Sequence, residues 1–368
     1  MVVKLKSECI QDLDTVQGLQ NALQNAIELE HSTIPTYLYA YFSINFAPGF
    51  STDPKSTNYA INEVLWSVVY EEMLHMGLAC NLLNAIGGSP QINTEDFIPA
   101  YPGPLPCGVE TGLTVPLAPF SKDLVKNVFM EIEEPEYLLP PGSTEVTIGM
   151  FYNAIAQSFA TFNQNFLNGT GPNIFVGDPT RQIDFSQAFG ASNLPGPVHD
   201  LDTAMAAITL IVDQGEGTSK SPLDPEPLDS TEPLAHYYRF LEAYEGQTIV
   251  PDSTKPHGWG FGPPTIDFDS SAAGVLPMIE NPKEANYPAN SDVQKACHAC
   301  NQVYMQLLNR LHDGFNGNPP PSAFDYGAKN NVFHLMDNFE AAAKTLIAFK
   351  LDDGTNAGPS FEYQPLDS

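Results

Sequence analysis

The chain has 368 residues and is 42% hydrophobic, which is enough to build a large core. It carries 44 acidic residues against 15 lysines and arginines, which gives a formal net charge of −29. Such a surface repels phosphate backbones and anionic lipid heads, and it attracts cations. We therefore expect neither nucleic acid nor a membrane as a partner. A solvated, soluble surface is the simplest explanation of the charge, and the charge is also compatible with metal uptake.

Targeting and cysteine features predict a cytoplasmic protein. Residues 1–11 lack an apolar stretch of signal-peptide length, and the chain has no run of about 20 apolar residues that would span a bilayer. Five cysteines are an odd and sparse set, which fits a reducing compartment better than a disulfide framework. Cys297 and Cys300 have the spacing of a redox motif, but they lie within a predicted helix, where packing is the better explanation. The oligomeric state stays open.

Helical periodicity recurs along the chain, and prolines and glycines cluster between the periodic segments. The pattern predicts helices at residues 14–45, 59–86, 121–134, 145–167, 201–214, 232–244, 292–315 and 330–351. Pro35 predicts a local kink in the first helix, and Gly87-Gly88 predicts the C-cap of the second. Long irregular connections are predicted at residues 90–119, 168–197 and 247–290.

These elements predict an all-α helix bundle with long irregular loops and additional C-terminal helices. We expect a metal-binding bundle over residues 1–250 and an irregular connection over 251–290. A C-terminal helical pair over 291–368 would then pack on the bundle. Because no clean boundary is visible in the sequence, a single domain is the alternative.

The second predicted helix carries an apolar stripe whose middle is polar. The stripe consists of Ile61, Leu65, Val68, Glu72, His75, Ala79, Leu82 and Ile86. A buried carboxylate is costly unless it is paired or bound to a metal ion. Glu72 and His75 are three residues apart, so their side chains point to one side and can share one ion. An isolated Glu-x-x-His is more often an ordinary surface pair, which is the alternative.

The first predicted helix supplies a partner for this pair. Glu30 lies on its apolar stripe between Ile27 and Ile34, whereas Glu28 and His31 align with its polar face. We therefore predict that Glu30 faces the interior and that Glu28 and His31 face solvent. Two interrupted stripes predict a shared metal site. The alternative is a structural bundle in which the buried side chains satisfy one another.

Two further positions are ambiguous from the pattern alone. Glu216 either continues the apolar face of the fifth predicted helix or is an exposed acid in a glycine-rich C-cap. His236 lies among aromatic residues, where a satisfied core histidine is more common than a ligand. A group of acids near Pro135 is predicted to form a solvated helix end; its members are Glu131, Glu133, Glu134 and Glu136.

At these motifs the chain resembles the ferritin-like domain family typified by the iminophenyl-pyruvate dimer synthases of violacein and rebeccamycin biosynthesis. The specific matches are IELEHSTIPTYLYAYFSI at residues 27–44, EEMLHMGLACNLLNAIGGSP at 71–90 and IVDQGEGT at 211–218. Further stretches follow in the family order: FMEIEEPE at 129–136, TIGMFYNAI at 147–155, LAHYYRF at 234–240 and YMQLLNRLHDGFNG at 304–317. The resemblance covers residues 15–350 and implies a ferritin-like bundle.

The resemblance implies metal ligands at five positions. They are Glu30, Glu72, His75, Glu216 and His236. Periodicity alone favours the first three of these. One departure matters, because many relatives have a glutamate where this chain has Met150, and a thioether is a poor ligand for iron. If that acid is a ligand in the relatives, this site binds one metal ion, or binds a second one loosely.

The resemblance also implies a chemistry. Two carboxylate-bridged irons reduce dioxygen together and pass the oxidising equivalents to a bound organic molecule. We therefore expect a non-haem di-iron oxidoreductase of secondary metabolism that acts on a small organic substrate, with another divalent metal as an open possibility. The dimer synthases are much longer chains, so their own reaction is not transferred. Metal or ligand binding without catalysis is the alternative function.

Overall fold

The structure is a computed structural model, and most of the chain that it describes is helical. The described residues are 9–48, 50, 52–53, 56–110, 112–139, 146–188, 194–215, 234–255, 258–264, 274–317 and 331–366. The helices are α1 (Val16–Asn45), α2 (Thr57–Ala85), α3 (Lys122–Leu124), α4 (Met130–Ile132), α5 (Ile148–Leu167), α6 (Phe185–Ala188), α7 (Leu201–Gly215), α8 (His236–Glu245), α9 (Asp292–Phe315) and α10 (Val332–Ile347). The π-helical turn Val125–Phe129 joins α3 to α4.

Each of the two longest helices begins at a hydroxyl side chain that caps its first turn, and the second ends at the predicted glycines. The side chains of Thr15 and Ser56 each accept a hydrogen bond from a backbone N–H in the first turn of α1 and α2, respectively. After α2, Gly87 adopts a φ of 77°, a left-handed conformation that glycine tolerates without steric cost. Helix α1 continues through Pro35 as one element. The all-α prediction is therefore confirmed.

The α1–α2 pair forms the centre of the molecule. The two helices pack along their lengths, α5 contacts α1, α7 and α8 contact α2, and α9 contacts α2 and packs on α10. One hydrophobic core runs through all the long helices and includes residues from Leu19 to Phe361. Most residues of α1 are therefore buried, and these include polar residues such as Glu30 and His31.

One stretch that was predicted to be irregular contains strands. Strand β1 (Gln247–Pro251) pairs antiparallel with β2 (Trp259–Pro264), and Ile249 lies opposite Phe261. The prediction of an irregular segment from residue 247 is therefore wrong for its beginning. Prolines at both strand ends hid the short hairpin from a search for alternating patterns.

The division into regions 1–250, 251–290 and 291–368 stays a prediction. Apolar side chains of the last region, such as Tyr304 and Phe339, belong to the same core cluster as those of α1 and α2. Within the described part of the chain, no helix is both long enough and apolar enough to cross a bilayer.

Candidate metal centre

Three carboxylates and two imidazoles meet inside the bundle from four elements. Glu30 comes from α1, Glu72 and His75 come from α2, Glu133 directly follows α4, and His236 is the first residue of α8. Each of these five side chains is at most 3% exposed. Buried charge is costly when it is alone, so such a cluster requires hydrogen bonds, protons or a bound cation. We call these five residues the carboxylate–histidine cluster.

Helical spacing assembles the first half of the cluster. Glu72 and His75 lie one turn apart on α2 and face Glu30 on the neighbouring helix. His75 Nδ1 is 3.6 Å from Glu30 Oε2 and 3.9 Å from Glu72 Oε2. The three residues form a trio whose ligand atoms all lie within 4.8 Å of one another.

Glu72 also belongs to a second trio, with Glu133 and His236, which meets the same distance limit of 4.8 Å. His236 Nδ1 is 2.9 Å from Glu72 Oε1 and 3.4 Å from Glu133 Oε2. One oxygen of Glu72 therefore faces each histidine, and the two imidazole rings stack with centroids 5.5 Å apart. A carboxylate shared between two such donor sets is typical of dinuclear metal centres in helix bundles.

Both histidines turn Nδ1 toward the carboxylates because Nε2 has its own partner. Nε2 of His75 lies 2.9 Å from Oε1 of Gln214, and Nε2 of His236 lies 2.8 Å from Oε2 of Glu71. Amide and carboxylate oxygens only accept hydrogen bonds, so these partners place a ring proton on Nε2. Nδ1 of each neutral ring is then free to donate an electron pair, as metal-binding histidines do.

The carboxylate behind His236 is itself held in place. Arg239 donates hydrogen bonds to both oxygens of Glu71, at 3.0 and 2.8 Å, and to Ser67 at 3.0 Å. Burial alone would raise the pKa of Glu71. The hydrogen bond from His236 and the Arg239 charge outweigh burial and lower the pKa to about 2. Glu71 is therefore ionised at neutral pH and orients the ring of His236.

Hydroxyl groups hold the three carboxylates of the cluster. The pairs are Tyr152 with Glu30 at 2.6 Å, Tyr37 with Glu133 at 2.6 Å, and Thr33 with Glu72 at 3.0 Å. Burial and the adjacent carboxylates raise the pKa of both tyrosines well above the ordinary value, so the tyrosines remain protonated donors. Each tyrosine fixes Oε1 of its carboxylate, and Oε2 faces a histidine.

The cluster holds protons when no cation compensates its charge. Burial, followed by repulsion from Glu133, raises the pKa of Glu72 to about 8. Burial opposes the charged form of His75 and His236, but the facing carboxylates outweigh it and raise the pKa of both. Metal ligands must lose their protons, so a cation that enters this cluster would displace the protons that the cluster holds.

One unpartnered atom tests whether a metal ion fits. Nδ1 of His236 is buried and lies 2.9 Å from Glu72 Oε1, yet it makes no hydrogen bond. A ring nitrogen that faces two carboxylates outside hydrogen-bond geometry suits joint coordination of a cation. Carboxylate oxygens with imidazole nitrogens are donors that suit several divalent metals, including iron. The residues present therefore fit a metal ion without selecting one metal.

The structure brings four of the five predicted ligand positions together. They are Glu30, Glu72, His75 and His236. The fifth, Glu216, lies outside the described residues. The residue before it, Gly215, ends α7 close to the cluster, because a Cβ at that position would lie 3.4 Å from Oε2 of Glu133.

The prediction that Glu133 belongs to a solvated helix end is wrong. Glu131 and Glu136 are exposed, but Glu133 is 2% exposed and bonded to Tyr37. The sequence did carry a signal for an inward position. The apolar residues Val125 and Phe129, both buried in the structure, lie four residues apart, and Glu133 follows at the same spacing. The neighbouring acids concealed that stripe.

The prediction that His31 faces solvent is also wrong. His31 is 3% exposed, its Nε2 lies 2.7 Å from the Tyr304 hydroxyl, and its ring stacks on Phe97 at 4.5 Å. Burial lowers its pKa to about 3, so the ring is neutral. Glu28 is half-buried rather than open to solvent, and Gln24 donates a hydrogen bond to it at 3.3 Å. Tyr304 of α9 covers this face of α1, which the apolar stripe alone predicted to be exposed.

Comparison with known proteins gives the chain a family. The ferritin-like family model matches residues 23–245, which is more than half of the chain. A protein of Chromobacterium violaceum named 2-imino-3-(indol-3-yl)propanoate dimerase is 27% identical over 235 residues, which cover 56% of this chain and 21% of that protein. The chain therefore matches about a fifth of the length of this curated relative.

A solved structure shares the fold. It is the crystal structure of a ferritin-like protein from Caulobacter vibrioides at 1.95 Å resolution, with a TM-score of 0.57 and 23% identity. The match covers 94% of this chain and 99% of that one. The region matched by the family model contains the whole carboxylate–histidine cluster. This chain belongs to the ferritin-like family.

Proposed function

We propose that this protein is a non-haem iron oxidoreductase that uses dioxygen to oxidise a small organic substrate. The proposal rests on one observation, the two buried trios that share Glu72. Glu30 and His75 would hold one metal ion, Glu133 and His236 would hold a second, and Glu72 would bridge them. Iron held there would couple the reduction of dioxygen to the oxidation of the substrate, which supplies the electrons.

Glu216, which the family resemblance implies as a ligand, is a further proposed ligand. It follows Gly215, whose position near Glu133 brings the end of α7 to the cluster. Glu133 adds a buried carboxylate to the ligands implied by the resemblance, and with Glu72 and His236 it forms a complete second trio without an acid at position 150. Two metal ions are therefore expected rather than one.

The chain's own residues prepare this centre. Glu71 and Gln214 hold the two imidazole rings through Nε2, so the electron pairs on Nδ1 stay directed at the cluster. Tyr37 and Tyr152 stay protonated and limit rotation of two carboxylates. The burial of all five cluster side chains excludes bulk water, which strengthens their interaction with a cation.

The curated relative supports only the substrate class. Its name describes a dimerase of an indole-bearing imino acid, which is a small organic molecule. Because this chain matches 21% of that protein, dimerisation itself is not proposed here. Secondary metabolism and a cytoplasmic location stay predictions.

Two substitutions two residues apart test the proposal. Glu133→Gln replaces a buried carboxylate of the cluster with an amide. Glu131→Gln makes the same replacement at an exposed position of α4. Each protein is loaded anaerobically with ferrous iron, its metal content is measured by mass spectrometry, and it is then exposed to dioxygen. Wild type and Glu131→Gln should retain two irons, consume dioxygen and develop a ferric–carboxylate absorption band. Glu133→Gln should lose iron and the band.

The contrary results separate the alternatives. Retained iron without dioxygen consumption would favour metal binding without catalysis. Unchanged iron content in Glu133→Gln would exclude this carboxylate as a ligand. Wild-type protein that takes up no metal would contradict the proposal and support a structural bundle in which the buried acids and imidazoles satisfy one another.

A further inference from the structure

A cavity of about 370 Å³ lies between the α1–α2 pair and the two C-terminal helices, α9 and α10. It uses a different face of α1 from the metal centre, because His31 and Leu38 line it while the neighbouring Glu30 and Tyr37 turn to the cluster. Protein cores seldom leave voids much larger than one water molecule. A void of this size falls in the range of small-molecule sites.

The cavity wall is aromatic and rich in methionine. Its members include Phe42, Tyr304, Phe339, Met73 and Met336. Two further lining residues, Trp66 and Tyr70 on α2, are 38% and 37% exposed, so they mark an entrance. Aromatic rings stack on flat aromatic ligands, and thioethers make favourable contacts with ring edges.

The charged residues that line the cavity argue against an anionic ligand. Among the described residues that line it, the charged ones are Asp337 and Glu340, and both are acidic. No lysine or arginine side chain lines this part of the described structure to compensate an anion. A negatively charged ligand would meet two carboxylates within a chain of net charge −29.

One polar atom of a residue that lines the cavity lacks a partner. His31 lines the cavity, and its Nε2 lies 2.7 Å from the hydroxyl of Tyr304. Its Nδ1 is buried and has no hydrogen-bond partner in the described structure. A buried polar atom without a hydrogen bond destabilises the folded protein. A hydrogen bond from a group on a ligand would offset this free-energy cost.

We propose that this cavity is a second binding site, for an uncharged, flat aromatic molecule that carries one hydrogen-bonding group recognised by His31. None of the five cluster residues is among the residues that line it. The site therefore goes beyond the proposed oxidoreductase function, and it can be occupied whether or not metal is bound.

A matched pair of fluorescent probes tests the charge requirement. N-phenyl-1-naphthylamine is neutral, aromatic and carries one N–H group, and 8-anilinonaphthalene-1-sulfonate is the same skeleton with a sulfonate. We expect the neutral probe to bind the wild-type protein saturably at one site per chain. The anionic probe should bind at least tenfold more weakly. Equal affinity for the two probes would overturn the uncharged-ligand assignment.

Competition with the neutral probe tests the ligand class and the role of His31. 2-Naphthol should displace the probe at a several-fold lower concentration than naphthalene, which differs from it only by the hydroxyl. In His31→Phe, which keeps a flat ring but removes both nitrogens, this difference should disappear. An unchanged difference would overturn the role of His31. More effective displacement by dodecan-1-ol than by 2-naphthol would overturn the aromatic class.

Two cavity-filling variants and a surface control locate the site. Leu311→Trp on α9 and Met336→Trp on α10 fill the cavity from two walls, whereas Gln306→Trp places the same ring on the exposed side of α9. Both filling variants should lose at least tenfold in affinity for the neutral probe, and Gln306→Trp should bind as wild type does. Folding is checked by thermal unfolding.

Iron content, measured on the same samples, distinguishes failure of this proposal from failure of the proposed function. Leu311→Trp and Met336→Trp should keep wild-type iron content while they lose the probe. Saturable probe binding that survives in both folded variants would overturn the site. Wild-type protein without saturable binding would overturn the proposal, whatever its iron content.

Discussion

The two faces of the α1–α2 pair differ in how they are filled. On one face, acids and imidazoles are packed together and nearly every polar atom has a partner. On the other, apolar side chains surround an open cavity of about 370 Å³. Glu30 and His31 are neighbours in sequence, as are His75 and Met76, yet one of each pair serves each face.

This difference follows from helix geometry. Successive residues on a helix point about 100° apart, so one long helix pair presents separate faces to separate partners. The central helices of a small bundle have one inner face, whereas here the C-terminal helices cover a second. The extra helices therefore create an interior that the bundle alone would expose to water.

Metal removal should have the largest effect, and it should act through the cluster face alone. A ligand at a thousand times its Kd stabilises the folded state by about 4 kcal/mol. We therefore expect chelation to lower the Tm of the iron-loaded protein by at least about 5 °C, since about 1 kcal/mol shifts the Tm of a large domain by a few degrees. Differential scanning calorimetry measures this, and Glu72→Gln should show no chelator-dependent shift.

The ion pair behind the cluster should govern acid stability. The pKa of Glu71 is about 2 in the folded protein, below its ordinary value of 4.5. A lowered carboxyl pKa contributes stability above pH 4.5 that is lost as the pH falls toward 2. The expected loss between pH 6 and pH 3 is about 2 kcal/mol.

Urea unfolding of the metal-free protein at several pH values measures this loss. In Glu71→Gln, the curve of unfolding free energy against pH should be flatter by about that 2 kcal/mol between pH 6 and pH 3. An acid limb unchanged by the substitution would show that Glu71 has an ordinary pKa.

The hydroxyl groups on the cluster face should tune metal affinity. Tyr37→Phe removes the hydrogen bond to Glu133, and loss of such an outer partner weakens metal binding by about tenfold. Tyr39→Phe is the matched control, because Tyr39 lies on the same helix and its hydroxyl donates to the backbone carbonyl of Ile279. Competition with a fluorescent chelator measures both affinities, and equal losses would contradict the assignment.

Enlarging a side chain should be tolerated on the cavity face, with the smallest effect. Leu307 lines the cavity, so Leu307→Phe has empty space to occupy. We expect the unfolding free energy to rise by about 0.5–1 kcal/mol, as for other cavity-filling changes. Affinity for N-phenyl-1-naphthylamine should fall in parallel. Destabilisation of the variant would indicate that the cavity does not exist in solution.

Much of the fold could be predicted from sequence because long amphipathic helices have a clear helical period of apolar residues. The stripes through Glu30, Glu72 and His75 gave the central pair and half of the cluster, because a polar residue inside an apolar repeat is conspicuous. His236 required the family resemblance, since one histidine among aromatic residues has no periodic signal.

The remaining features depended on tertiary contacts. Glu133 follows Val125 and Phe129 at four-residue spacing, but the neighbouring acids concealed this signal, and the structure was needed to show that Glu133 alone turns inward while Glu131 stays exposed. His31 is buried because α9, distant in sequence, packs over it. The placement of His31 is not a local property of the sequence, so periodicity assigned this side chain to solvent.

Anomalous diffraction at the iron edge, from crystals of the iron-loaded protein, tests the central claim most directly. Two peaks are expected on either side of the Glu72 carboxylate. One should lie beside Glu30 and His75, and the other beside Glu133 and His236. Crystals with no iron peak at Glu72, or with iron bound only at surface acids, would contradict the account.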